Sequence, residues 1–162
     1  MPEANRHIEI EHKFLVTGDG WRGQADGIRY RQGYIAVSET ATVRVRVGGD
    51  SAFLTLKGPP APGGLARPEF EYPVPLADAE EIILQLCGNA LVEKTRYRIP
   101  FAGFTWEVDE FHGRHQGLLL AEIELSREDE AFERPEWVGE DVTGDYRYSN
   151  AWLAGESERP PT

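Results

Sequence analysis

Only one cysteine and one methionine occur in 162 residues, and basic residues are scarce beside acidic ones. The lone Cys87 excludes an intramolecular disulfide and any metal site built from clustered thiolates, and it fits a reducing compartment. Seventeen Lys and Arg stand against 28 Asp and Glu, a net charge of −11. A duplex nucleic-acid binder needs a basic face, and charge-driven binding to an anionic bilayer needs a basic cluster, so both roles are disfavoured. A small anionic ligand is not excluded, because an enclosed site has a local sign of its own. No apolar run approaches the ~18 residues of a membrane helix. The start, "MPEANRHIEIEHK", lacks the basic-then-apolar order of a secretion signal. The expectation is a cytoplasmic protein that binds neither nucleic acid nor membrane, with a homodimer left open.

Helical periodicity is also scarce; the dominant period is two. Strands are expected at Ile8–Val16, Ile28–Val37, Thr42–Val47, Ala52–Lys57, Pro68–Val74, Leu91–Ile99, Phe104–Phe111 and Leu118–Leu125. "VGGDS" at 47–51 and "AGF" at 102–104 read as hairpin loops, and "GPPAPGGLARP" at 58–68 as a mobile surface loop. Leu76–Leu86 has a helical apolar face, acids near its start and Gly88 just past its end. Ser126–Glu133 reads as a short acidic helix capped by Ser126, and Ser149–Leu153 as the start of a last one. One domain over 1–155 with a frayed tail at 156–162 is expected. Eight strands in sequence suggest a mainly β fold, an up-and-down antiparallel barrel with a few flanking helices, or else a sandwich.

Charges occupy one face of nearly every strand. Glu9, Glu11 and Lys13 alternate with Ile10 and Phe14; Arg44 and Arg46 alternate with valines. Lys57 lies opposite Leu54 and Leu56, and Glu69 and Glu71 opposite Phe70 and Tyr72. Lys94, Arg96 and Arg98, then Glu107 and Asp109, then Glu122 and Glu124 repeat the pattern. Like charges two apart on a strand are about 7 Å apart. In water they repel by under about 1 kcal/mol, so a sandwich with solvated charged faces is tolerable. At an effective dielectric of 20 the pair costs about 2 kcal/mol, so an interior lined by these faces needs compensating cations. The charges are sorted by strand into acidic and basic rather than interspersed, as solvated faces usually are. Sorted signs suit a polyanion carrying metal ions, with carboxylates for Mg²⁺ or Mn²⁺ and Arg or Lys for phosphate oxygens.

Here the sequence resembles the CYTH superfamily, the triphosphate tunnel metalloenzymes, in their short stand-alone bacterial form. Glu-x-Glu-x-Lys is matched by Glu9, Glu11 and Lys13. It is followed in order by "RQGY" at 31–34, "VRVRV" at 43–47, "TLKG" at 55–58, "RPEFE" at 67–71 and "VEKTRYR" at 92–98. "WEVDEF" at 106–111, "LAEIEL" at 120–125 and "DYRYSN" at 145–150 complete the set. The resemblance implies an eight-stranded closed antiparallel barrel with a charged interior that binds triphosphate with one or two divalent ions. It implies Glu9, Glu11 and Glu124 as metal ligands, with Glu122 and Asp109 as a second-metal or water-positioning pair. Lys13, Arg44, Arg46, Lys57, Lys94, Arg96 and Arg147 would contact phosphate. Tyr34 would pair with Lys94 near the scissile phosphate, and Glu122 would join them in catalysis. Glu69, Glu71 and Glu107 would support the basic side chains.

The remaining chemistry-bearing residues read as structural. The four tryptophans and Cys87 are expected to pack, no histidine has metal-ligand spacing, and Arg29 and Arg31 belong to the rim. Arg98 is equally a tunnel or a mouth residue. The implied function is metal-dependent hydrolysis of inorganic tripolyphosphate to diphosphate and phosphate. Alternatives on the same site are a class IV-type adenylyl cyclase, a thiamine triphosphatase and a nucleoside triphosphatase. A further alternative is a non-catalytic module that binds polyphosphate or nucleotide.

Overall fold

A computed structural model describes residues 7–62 and 65–155. The expected tail at 156–162 and residues 63–64 of the Pro/Gly-rich loop lie outside the described residues. The strands are β1 (Ile8–Val16), β2 (Gly27–Val37), β3 (Thr42–Gly48), β4 (Ser51–Lys57), β5 (Ala66–Pro73), β6 (Leu91–Phe101), β7 (Phe104–Phe111), β8 (Leu119–Glu124) and β9 (Val138–Asp141). The helices are α1 (Leu76–Leu86) and α2 (Asn150–Gly155). None of the described helices is long and apolar enough to cross a membrane.

All pairings are antiparallel, in the order β5-β4-β3-β2-β6-β7-β8-β1, and β1 pairs back with β5, which closes an eight-stranded barrel. The closed barrel matches the sequence reading, but the strand order does not. β1 sits between β8 and β5, and β2 pairs with β6, so two meanders (β2–β5 and β6–β8) are joined by the first strand rather than wound in sequence. β1 divides one edge: residues 8–10 pair with β5 and residues 14–16 with β9, which the periodicity did not predict.

The apolar strand faces point outward; those of β1, β3, β7 and β8 are covered, while Ile28 of β2 and Phe70 and Tyr72 of β5 stay exposed. Ile10, Phe14, Trp106, Val108, Ala121 and Ile123 are buried beneath Trp21, Trp137 and Phe132. α1 lays Ala79 and Ile83 on Val45 and Ala52, and Cys87 at its end approaches β2. The approach is tight: a Cβ at Gly33 would lie 2.6 Å from Cys87 Sγ, so "RQGY" takes glycine at its third position to admit the helix end. At Gly48 the Tyr30 ring stands where a Cβ would go.

Ser126–Glu133 is not helical. The backbone N–H and hydroxyl of Ser126 both donate to the Glu130 carboxylate (2.7 and 2.9 Å), which forms a capped bend. The chain then leaves the helical path to place Phe132 against Trp106, Phe14 and Phe104 at 5.8–6.5 Å between ring centres. Aromatic burial outweighs the weak preference of this short acidic stretch for helix. The last helix begins at Asn150, one residue after the expected start, behind a 3₁₀ turn at Tyr146–Tyr148.

Candidate active site inside the barrel

Each strand's charged alternation faces inward. At one end of the barrel, inward-facing Val92, Phe111 and Leu120 pack against Val142, Tyr148 and Leu153 from the chain's last segment. The remaining interior is a cavity of about 470 Å³. Among the described residues, eight carboxylates and eight Lys or Arg line it. A chain of net charge −11 therefore encloses a site balanced in charge.

Cross-strand register sets the chemistry. Glu11 lies directly opposite Glu124, Lys13 opposite Glu122, and Glu122 opposite Glu107. On the far wall Arg44 faces Thr55, Thr55 faces Glu71, and Lys57 faces Glu69. Like-charged cross-strand pairs are destabilising, so the Glu11–Glu124 pair calls for a compensating cation.

The basic wall is incompletely satisfied. Arg44 donates to Thr55 Oγ1 (3.3 Å), which donates to Glu71 (2.8 Å). Glu71 is also 3.6 Å from Arg44 and 3.9 Å from Arg46. Yet Nε of both arginines is buried without a hydrogen-bond partner. Burial lowers the pKa of Arg46, and the nearby charges of Arg44 and Arg96 lower it further. The Tyr30 ring, 5.0 Å from Arg46 and 5.7 Å from Arg96, lies between the two cations. An anion placed there would meet orphaned donors and relieve mutual repulsion.

Asp109 anchors a second group. It accepts from Arg96 Nε and Nη2 (2.7 and 2.8 Å) and from Lys94 Nζ (2.8 Å), with all three side chains buried. Burial works to raise its pKa, but the two cations hold it below the usual carboxylate range. Burial lowers Lys94 to about 8 against the opposing pull of Asp109. Asp109 is absent from the cavity lining, and both its oxygens are engaged. It orders cations and is not placed as the second-metal ligand expected from sequence. Glu122 does line the cavity, 3.6 Å from Lys13 and 3.7 Å from Arg96. Its burial would raise its pKa, but Lys13, Arg96 and Lys94 hold it far down, so it stays ionised.

The acidic wall divides in two. Lys57 donates to both Glu9 oxygens (3.1 and 3.0 Å), and Arg67 Nε lies 3.5 Å from Glu9. Against burial, these cations and a hydrogen bond from Glu69 keep Glu9 ionised. Glu69 goes the other way, to about 7, through burial and its bond to Glu9. Glu11 has no hydrogen bond or ion pair from its side chain among the described residues. Burial and the charges of Glu122 and Glu9 push its pKa well up. Glu124, at the exposed end of β8, is also raised by burial and by Glu9 and Glu107.

Glu11 and Glu124, crowded by carboxylates and short of cations, fit a hard divalent ion in donor chemistry. Among the described residues no three potential ligands are already gathered in metal-binding geometry, because Glu9 is turned onto Lys57 and Arg67.

Two further expectations need correction. Arg147 is not itself a lining residue; half exposed, it pairs with Asp145 at the edge of the cavity (2.7 Å), which also accepts its backbone N–H at the start of the 3₁₀ turn. Tyr34 lines the cavity with Lys94, but its hydroxyl accepts from buried Gln32 (3.0 Å), while the hydrogen bonds of Lys94 go to Asp109 and Asn150. Glu107 bridges Arg96 and Arg98 at 3.3 Å each, and Arg98 is half exposed at the mouth. Arg29 and Arg31 pair outside the barrel with Glu93 and Glu80. Arg67 lines the cavity and was missed, although its alternation with Glu69 and Glu71 carried the signal. Asn150 closes the "DYRYSN" stretch, but that stretch has no regular alternation to show where its side chain goes.

Comparison with known proteins agrees with this geometry. The CYTH domain model matches residues 7–151. A curated inorganic triphosphatase of Acetivibrio thermocellus is 50% identical over 145 residues, covering 90% of this chain and 92% of that one. An inorganic triphosphatase of Nitrosomonas europaea is 39% identical over 151 residues, covering 90% and 96%. A crystal structure of an inorganic triphosphatase superposes with a TM-score of 0.67 at 34% identity, covering 93% of this chain and 96% of that one.

Proposed function

The chain belongs to the CYTH domain family, and we propose that it is a divalent-metal-dependent hydrolase that cleaves inorganic tripolyphosphate to diphosphate and phosphate inside its barrel. The observation that carries this reading is the pair Arg44 and Arg46, buried with unpartnered Nε–H groups in the same cavity as the cross-strand Glu11–Glu124 pair, which has no ion pair among the described residues. The similarity to two inorganic triphosphatases over nine-tenths of the chain supports it. Among the described residues no tryptophan lines the cavity; Tyr34 and the exposed Tyr146 do, and the Tyr30 ring stands against Arg46 and Arg96.

In the reaction, a water oxygen bonds to a terminal phosphorus, the bridging P–O bond breaks, diphosphate leaves with the bonding electrons, and the proton released by the water passes to solvent. Arg44, Arg46 and Arg96 hold phosphoryl oxygens, and Lys13 and Lys57 flank them. Lys94 offers an N–H to charge developing on the phosphoryl oxygens. Glu122, kept ionised by its cations, orients the water. Glu11 and Glu124, with Glu9 once released from Lys57, would hold Mg²⁺ or Mn²⁺. Such an ion supplies charge neutralisation and a more acidic water.

The test is phosphate release from tripolyphosphate, ATP and thiamine triphosphate, each with Mg²⁺, Mn²⁺ or EDTA. Preferential, EDTA-sensitive release from tripolyphosphate is expected. Cyclic AMP from ATP with tripolyphosphate untouched would replace hydrolysis by cyclisation. Tight binding of tripolyphosphate without turnover would leave a binding module.

A further inference from the structure

Lys94 has three N–H bonds to direct, and hydrogen bonds within the described residues account for two; Nζ also lies 5.7 Å from the centre of the Phe111 ring. One goes to Asp109 (2.8 Å) and one to Asn150 Oδ1 (3.1 Å). An ammonium only donates, so the amide oxygen of Asn150 must face Lys94, and its NH₂ is turned elsewhere. That NH₂ has no acceptor among the described residues, and Asn150 lines the cavity.

Nothing local explains an asparagine here. Asparagine is a poor helix former that favours caps. The cap of α2 is already Ser149, whose Oγ accepts the Trp152 N–H (3.2 Å) and whose carbonyl accepts the Leu153 N–H (3.0 Å). Asn150, the next residue, has no capping role. The far end of α2 is fixed from another element: His115 Nε2 bonds the Leu153 carbonyl and Arg114 the Ala154 carbonyl, both at 2.6 Å. Leu153 and Ala154 are buried. The helix is thus held at both ends, and its first side chain is delivered to the barrel interior.

We propose that Asn150 is the positioning residue of Lys94: its Oδ1 and Asp109 fix two ammonium hydrogens, aim the third at a phosphoryl oxygen, and leave the amide N–H groups as donors to the substrate. The proposal rests on the hydrolase reading above. It makes α2 part of the active site, a helix that bears none of the charged strand motifs.

The test compares Asn150→Leu, which removes the oxygen at similar size, with Asn150→Asp, which keeps an acceptor but loses the amide donors. Steady-state kinetics on tripolyphosphate and thermal unfolding are read together. In Asn150→Leu kcat should fall ~10–100-fold, the range seen when a group that orients another is lost. In Asn150→Asp kcat should stay within about threefold of the wild type while KM rises, because a like charge replaces donors. Should leucine not fold there, Asn150→Ala removes the same oxygen and is read in the same way. Wild-type kcat in the leucine or alanine variant, or an Asp variant that falls as far as the leucine one, overturns the proposal. An inert wild type would instead overturn the hydrolase reading and this proposal with it.

Discussion

Replacing Asp109 by asparagine separates the two roles that sequence and structure give it. Asp109 is 1% exposed and neutralises Lys94 and Arg96, which are 1% and 7% exposed. Removing one partner of such a buried group leaves uncompensated charge and costs about 3–5 kcal/mol. Arg96 retains Glu107 at 3.3 Å and Glu122 at 3.7 Å, so the lower half of that range is expected. For a chain of this size each kcal/mol moves the unfolding midpoint by about 2–4 °C. Asp109→Asn should therefore unfold about 6–16 °C lower. The drop should be full-sized in EDTA, because the lost partners are protein cations. The assay is thermal unfolding by circular dichroism with and without Mg²⁺. A midpoint unchanged in EDTA, but with weaker stabilisation by Mg²⁺, would refute the anchoring role and restore Asp109 as a metal ligand.

Glu11→Gln should abolish metal-dependent turnover yet unfold at a higher temperature than the wild type in EDTA. The Glu11 carboxyl is raised above its unfolded value, so the stability it contributes is present at low pH and is lost as pH rises through the folded value. The advantage of the variant should accordingly grow from pH 5 to pH 8; a constant or shrinking gap refutes the crowding of Glu11. For activity, burial places Lys94 at about 8, protonated below and neutral above, so kcat should decline with an alkaline limb near that pH. A flat profile to pH 9.5 would remove Lys94 from the chemistry. Phe132→Ala should cost about 2–3 kcal/mol in urea unfolding with KM unchanged, since Phe132 packs on Trp106 outside the barrel. A KM change without loss of stability would contradict that placement.

The strand positions were legible because period two persists through burial: β1, β7 and α1 match the expected bounds residue for residue. Which charges share a cavity was legible for the same reason, since alternation along a strand fixes the face. Pairing between distant strands was not. That Asp109 spends both oxygens on Arg96 and Lys94 follows from the β6–β7 register, which places Arg96 opposite Asp109. No count along one strand contains that fact. Arg147 misled because a motif position is not an orientation: Asp145, two residues away and itself a lining residue, holds it at the edge of the cavity.

The direction in which the charged faces point was the least determined from strand patterning alone, and the reason lies outside the strands. Ile10 and Phe14 could face a second sheet or an outer cover with the same alternation. What decides between them is whether enough apolar mass exists elsewhere to cover an inverted barrel. Here that mass sits in segments that read as loops: Trp21 before β2, packed on Tyr97 of β6, and Phe132 and Trp137 after β8, packed on β1 and β7 from outside. A solvated turn has no need of tryptophan, and one that bears it must have a surface to cover. These residues, counted with the strands rather than set apart as packing, tie the outward apolar face to the inward charged one. The cover outside and the site inside are two faces of the same alternation, so a strand slip of one residue would expose Phe14 to the cavity and drive Glu11 into the aromatic layer.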